Sequence, residues 1–394
     1  MTNNMRELFL LDDDVVFLNH GSFGACPKLV FQAYQNWQLK LERQPVAFLD
    51  QARDFIKYME PVRIALAEEL GASPDDLVGL TNATEGLNIV AQSLKLEPGD
   101  EILTSDHEYG ALEKTWELVS DRTGAKVVEV EIPLPLVSEE KFSEVIINAM
   151  TDRTKVLFLS HGTSPTALVF PIKKVVDEAR TRGIITVIDG AHIPSLIELN
   201  LNELDADFYS GNCHKWMMAP KGAAFLWARR DAQPMLEPLV VSHGWIPQSG
   251  GPEQIGPFGN SRFIDCFEVR GTRDPAAWLA VPDALNFMKK HNWNEISRHS
   301  DILARNTASA ISNLTQIPLL SSAEFCAPQM VAIPLPDCDV DELKRRLYDE
   351  FNIEVPVFRW KDCCIVRISI QAYNTRADAS RLIDALSDVL KLHA

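Results

Sequence analysis

Between Pro98 and Ala228 short apolar runs alternate with amphipathic ones, and this alternation constrains the fold more than any other feature. It predicts strands at Glu101–Thr104, Lys126–Ile132, Lys155–Ser160 and Ile184–Ile188. Helices are predicted between them at Ala111–Arg122, Glu140–Met150 and Ile172–Arg182, with a closing strand at Gly222–Ala228. The strand-forming runs are largely apolar throughout, which predicts a mainly parallel sheet covered by helices on both faces, an α/β fold. Upstream, helical spacing covers Pro27–Gln44 and Asp50–Leu70, the latter ended by Gly71, before a short strand at Leu77–Leu80. The Gly- and Pro-rich stretch 242–265 contains Trp245, Phe258 and Phe263 and reads as a folded loop. Beyond it the pattern is α+β. Helices are expected near 275–291 and 293–315, a strand at Gln329–Ile333, a helix at Val340–Phe351, strands near Glu354–Phe358 and Ile365–Ile370, and a last helix from about Ala377.

A chain of 394 residues exceeds what one core usually serves. The expected division is an N-terminal arm, 1–18, ending in a strand at Val15–Leu18 and joining the small domain. A large ligand-binding domain, 19–265, and a small C-terminal domain, 266–394, complete it. The balance of 38 Lys and Arg against 55 Asp and Glu gives a net charge of −17, which disfavours nucleic acid and anionic membranes as partners. No stretch approaches the roughly 18 apolar residues of a membrane span, and no signal peptide is evident. Seven scattered cysteines form no C-x-x-C pair and there is no H-E-x-x-H, so no metal site is expected and reduced thiols in the cytoplasm are the default.

In such a sheet ligands bind beyond the carboxyl ends of the strands, and polar residues gather at those ends. Asp207–Gly222, DFYSGNCHKWMMAPKG, places Lys215 directly before Trp216, Met217 and Met218. An amine confined among apolar groups loses charge stabilisation and becomes a better nucleophile, which suits a Schiff base. Lys221 reads as a turn residue. Upstream, Asp189-Gly190-Ala191-His192 ends a strand. Thr81–Gly86 opens a helix, and its free N–H groups suit an anion, although a plain threonine cap accounts for the same residues. Asn19–Gly24 either faces a ligand or simply turns the chain into the helix beginning near Pro27. Arg367 lies between two apolar neighbours, and its planar fork suits a carboxylate.

The Asp-Gly-Ala-His motif, followed by His214-Lys215 and then Pro220-Lys221-Gly222, resembles the class V aminotransferase family of fold type I pyridoxal 5'-phosphate (PLP) enzymes, which includes cysteine desulfurases. The resemblance extends over nearly the whole chain, and within the family it is nearest to isopenicillin N epimerase-like proteins. It implies that Lys215 forms the Schiff base, that Asp189 sits against the pyridine nitrogen, and that His192 faces the phenolate oxygen, a place often held by Gln. A family motif ending Glu-His stacks its His on the ring. Here Tyr109 occupies that register, with His107 the rival if the loop shifts. Ala83, Thr84, Asn212 and His214 match phosphate-binding positions. Thr272 resembles a residue that reaches the neighbouring subunit's phosphate, which implies a homodimer with shared sites. Arg367 matches the substrate-carboxylate arginine, and the loop containing Asn19 and His20 is expected over the substrate. Thr163–Thr166 stands where desulfurases carry an Asn-Asn pair.

Desulfurases attack sulfur with a loop cysteine before that arginine. Cys363 and Cys364 lie only four and three residues before Arg367 and read as buried, which disfavours the role. The expected function is therefore removal of the Cα proton of an amino acid, in an epimerase-like enzyme. A C–S lyase acting by β-elimination is the alternative and an aminotransferase the next. The second proton donor that epimerisation needs is left open among Tyr109, His107 and the 19–24 loop. A non-catalytic nucleotide-binding protein is disfavoured, since neither G-x-G-x-x-G after a strand nor G-x-x-x-x-G-K-[ST] occurs.

Overall fold

The structure, a computed structural model, describes residues 5–392; the first four residues of the expected arm lie outside the described region. At its centre is a seven-stranded sheet. Across it the strands run Leu77–Leu80, Ala224–Ala228, Phe208–Asn212, Ile185–Asp189, Thr154–Ser160, Glu101–Ser105 and Lys126–Val130. Ala224–Ala228 runs antiparallel to both its neighbours, and the other pairings are parallel.

Successive residues of a strand point to opposite faces. Phe158, Val187 and Phe208 therefore pack with Leu87 and Trp116 of the helices Ala83–Ser93 and Gly110–Thr123. Their neighbours Leu157, Ile188 and Tyr209 pack on the other side with Met59, Phe142 and Val175 of the helices Phe55–Leu70, Glu139–Ala149 and Lys173–Thr181. Both faces are covered, so the middles of the central strands carry apolar residues on both sides, and polar residues collect at their ends.

Several elements depart from their expected bounds; the strand expected near Glu354–Phe358 is two, Ile353–Glu354 and Val357–Trp360, which pair in different sheets on either side of Val355 and Pro356. The strand from Phe208 continues through Ser210, Gly211 and Asn212, where the polar residues predict a loop. Pairing with Leu226, Phe225 and Ala224 overrides that composition. The helix expected from Asp50 starts at Phe55, because the Asp50 carbonyl gathers the N–H groups of Arg53, Asp54 and Phe55 into a turn. The helix expected over 275–291 divides into Ala276–Leu279 and Val281–Lys290 at Ala280, with Pro282, which has no N–H to donate, in the first turn of the second.

A second, three-stranded antiparallel sheet joins Val357–Trp360, Cys363–Ser369 and Met330–Leu335. Val366 and Ile368 face a core built with Ala308 of the helix Trp293–Thr315 and Leu382 of the helix Arg376–Val389. Period-two alternation then turns Ile365, Arg367 and Ser369 the other way, toward the main sheet. The arm strand Val16–Phe17 pairs in parallel with Ile353–Glu354, and Ser369 N–H donates to the Leu18 carbonyl (2.8 Å), which joins the arm to this sheet. Among the described residues no helix is long and apolar enough to cross a membrane.

Candidate active site

The carboxyl ends of the central strands and the inward face of the three-stranded sheet enclose a cavity of about 500 Å³. It is lined by Ala83 and Thr84, Tyr109, Ser160, Asp189 and His192, Asn212, His214 and Lys215, and Arg367, with Ser22, Phe23 and Ser164 among the other lining residues. Lys215 follows the strand Phe208–Asn212, and the residues after it, Trp216, Met217 and Met218, are buried. The Lys215 Nζ is 2.9 Å from His192 Nε2. Burial holds the amine well below the usual lysine range; the Arg367 cation pushes the same way and Asp189 opposes it. Asp189 ends its strand and accepts the Ala191 N–H (2.8 Å). Its carboxyl is raised by burial, against the pull of that N–H and of Lys215. His192 is held neutral, chiefly by burial and then by the Lys215, Arg367 and His214 charges.

Arg367 is only 5% exposed. Its Nη1 donates to the Ser164 carbonyl and to Ser164 Oγ (3.0 Å), and its Nη2 donates to Ser22 Oγ (3.0 Å). Burial lowers the guanidinium to about 10, where it is still a cation at neutral pH. At the helix Ala83–Ser93 the cap is Asn82, whose Oδ1 accepts Glu85 N–H (2.8 Å), so the plain threonine cap is not what forms. Ala83 N–H is taken by Asn212 Oδ1 (2.9 Å), leaving Thr84 to face the cavity with its hydroxyl. His214 Nδ1 pairs with the Ala223 carbonyl (3.2 Å).

The structure turns some of the expected residues away. Asn19 donates to Glu354 Oε1 (3.0 Å), and buried His20 bonds the Tyr373 hydroxyl (2.9 Å) and the Lys215 carbonyl (3.0 Å). Neither is among the residues that line the cavity, which is met instead by Ser22 and Phe23 of the short helix His20–Phe23. His107 is packed between Phe170 and Trp360 and bonds Thr166 Oγ1 (2.6 Å), which leaves Tyr109 as the aromatic at the cavity from that loop. Thr272 is exposed and does not line the cavity. The expectation that both cysteines are buried is corrected. Cys364 is buried, but Cys363 is exposed because it flanks a two-residue hairpin turn, directly opposite Trp360. Neither lines the cavity.

Gly24 shapes the near wall. Its φ is +69° and an added Cβ would lie 2.1 Å from the His214 carbonyl oxygen. Gly24→Ala is expected to destabilise the fold by about 2 kcal/mol or more, from overpacking and backbone strain together. An unchanged urea midpoint would show that this approach is not made. The sequence places Ser22, Ser160 and Glu108 within candidate loops and strand ends but gives none of them a role of its own. Ser160 stands in register beside Asp189 at a strand end, which is a usable signal; Ser22 depends on a loop turn that no periodicity encodes.

The profile described as Aminotransferase class-V matches residues 17–382. Isopenicillin N epimerase of Amycolatopsis lactamdurans is 36% identical, with 98% of each chain covered. A probable chloroplastic L-cysteine desulfhydrase of Arabidopsis thaliana is 28% identical over 96% of this chain and 84% of its own length. Among solved structures, a cysteine desulfurase from Thermococcus onnurineus NA1 superposes with a TM-score of 0.81 at 20% identity, covering 98% of each chain. The cystine C–S lyase C-DES superposes at 0.78 and 21% identity, covering 95% of this chain and 98% of its own; at such identities the likeness speaks for the fold. With its profile match, its full-length relative and its strand-end cavity all in agreement, the chain belongs to the aminotransferase class-V family.

Proposed function

We propose that this protein is a PLP-dependent enzyme that removes the Cα proton of a small amino-acid substrate, an epimerase of the isopenicillin N epimerase kind. The observation that carries the reading is the convergence of Lys215, His192, Asp189 and Arg367 on one cavity. The residues fit the cofactor. The cavity offers an amine of lowered basicity, a buried carboxylate and a helix N-terminus with Thr84, while buried His192 Nδ1 and Arg367 Nε have no partner among the described residues. Lys215 would be the covalent anchor, Asp189 would hold the ring nitrogen, His192 would meet the phenolate oxygen and Tyr109 would stack. Thr84, Asn212 and His214 would take the phosphate, with Ala83 contributing through its place at the helix start. When bound, the cofactor supplies an electron sink for bond breaking at Cα.

Lys215 Nζ, kept partly neutral by burial, takes the Cα proton on its own face. Arg367 grips the substrate carboxylate and fixes which bond faces that amine. Epimerisation needs a proton from the other face. Of the groups proposed for this, His107 and His20 are packed away, while Tyr109 and, from the 19–24 loop, Ser22 line the cavity; Tyr109 is the one proposed for the role. We take residues 19–265 as the large domain and 266–394, with the arm, as the small one. A homodimer in which exposed Thr272 reaches the partner's phosphate site completes the assignment, and seven unpaired cysteines support a cytoplasmic setting.

The test is incubation with candidate amino acids in deuterated water. Deuterium at Cα with inversion supports the epimerase. Pyruvate and a released thiol would instead establish the second reading, a C–S lyase, which the desulfhydrase relatives favour. Arg367→Lys is expected to lower kcat/KM by about 30- to 150-fold, the loss of roughly 2–3 kcal/mol from a two-pronged contact. The visible absorbance of the bound cofactor should stay unchanged; an unaltered kcat/KM would remove Arg367 from the substrate site.

A further inference from the structure

Glu108 is a buried carboxyl, 4% exposed, that the assignments above do not use. Its Oε1 accepts from Ser105 Oγ (2.6 Å), and its Oε2 accepts from Ser160 N–H (2.8 Å) and pairs with Ser160 Oγ (2.6 Å). Ser105 ends one central strand and Ser160 the next, and Ser160 both lines the cavity and stands in register with Asp189. Glu108 therefore ties two strand ends together immediately before Tyr109. We propose that Glu108 is a positioning residue that acts as a neutral acid: it anchors the loop presenting Tyr109 and leaves the negative charge beside the cofactor ring on Asp189 alone. The proposal rests on the PLP reading of the cavity.

The argument is electrostatic and geometric. Two carboxylates acting on each other in a buried site do not both ionise. Asp189 is drawn toward its charged form by Lys215 and, with the cofactor bound, would face the ring nitrogen, whereas the hydrogen-bond partners of Glu108 are two serines and a backbone N–H. The proton therefore stays on Glu108, whose carboxyl is pushed up to about 8 by burial and by the Asp189 charge, against its serine hydrogen bonds. A protonated Glu108 donates to one serine oxygen, because a serine hydroxyl can turn its own hydrogen elsewhere. The neighbouring charged groups are engaged in other directions: Asp106 pairs with Lys361 and accepts Ile132 N–H (3.0 Å), and His107 is bonded to Thr166. Residues 106, 107 and 108 are each held by a different element, and Tyr109 is left to face the cavity.

The experiment compares wild type, Glu108→Gln and Glu108→Ala. Glutamine keeps the shape and cannot ionise. Glu108→Gln is expected to match wild-type cofactor affinity and absorbance below about pH 8 and to remain flat above it, while wild type changes as Glu108 ionises. Glu108→Ala should weaken cofactor binding and lower turnover by about tenfold or more. Loss in Glu108→Gln equal to that in Glu108→Ala, or an alkaline change in wild type that Glu108→Gln retains, would overturn the proposal. A second readout needs no cofactor and no stable alanine variant: the infrared band of a protonated carboxyl at neutral pH, present in cofactor-free wild type and missing from Glu108→Gln. Its absence from wild type would also overturn the proposal. A protein that shows this band yet binds no PLP would refute the cofactor reading and not the protonation state of Glu108.

Discussion

Lys215→Ala is expected to abolish turnover, by at least about four orders of magnitude, because on the proposed reading it removes a general base and a covalent anchor in one change. The fold should survive. Lys215 is a charged group held in a buried site at a cost, its side-chain partner is one imidazole nitrogen, and the loop around it is fixed by backbone bonds from Cys213 to Ala223 and from Ala219 to Cys213. The cofactor should still bind, now removable by dialysis, since Thr84, Asn212, His214 and Asp189 are untouched. Its absorbance should shift away from the wild-type band and stop responding to borohydride. Added small primary amines should restore a measurable part of the rate, as they replace the base but not the tether. A variant that turned over within tenfold of wild type would sink the catalytic assignment, whatever became of the fold assignment.

The second large effect is on stability in acid. His20, His107, His192 and His214 are buried and His161 is half-buried, and all five are held below the ordinary histidine value, first by burial: His20 to about 3 and His161 and His214 to about 4. They are neutral in the folded chain, whereas the unfolded chain protonates them below about pH 6.5. Stability from these groups is therefore present above pH 6.5 and is lost as the pH falls toward 4. Raised acids act in the opposite sense. Glu108 and Asp189, and Glu69, Asp76, Asp265 and Glu268, bind protons in the folded state earlier than in the unfolded one. The five lowered histidines outweigh the two most strongly raised acids, so unfolding takes up protons on balance near pH 5.5, at about 1.4 kcal/mol per proton and pH unit. Against a typical total of about 10 kcal/mol, the cofactor-free protein should become progressively less stable between pH 6.5 and 4.5. Urea midpoints measured across that range test this, and a flat profile would mean that the histidines are solvated or paired.

Much of the site was legible because its residues sit where strand periodicity breaks. The ends at Asp189 and the strand preceding Lys215 follow from the apolar runs before them, and both side chains line the cavity. Arg367 follows from the alternation along Cys363–Ser369. The loops were less legible. Nothing in Asn19-His20-Gly21-Ser22-Phe23 says that the histidine turns inward to Tyr373 while Ser22 turns to Arg367; contacts across about 350 residues of chain decide it. Glu108 was hidden for a related reason. A carboxylate between His107 and Tyr109 looks solvated until Ser105 and Ser160 arrive from neighbouring strands. Cys363 and Cys364 differ in exposure because one flanks a turn and the other lies inside a sheet, a difference of one residue that composition does not resolve.

The turn between Trp360 and Cys363 has a further consequence. Two residues, Lys361 and Asp362, join strands that are fully paired on both sides of them, and Lys361 is itself clamped to Asp106 and Glu131. A connection this short has no slack with which to swing a side chain from the cavity to the surface. Cys363 is thereby fixed at the surface, outside the cavity, and the turn gives it no reach toward a sulfur atom held beside Lys215.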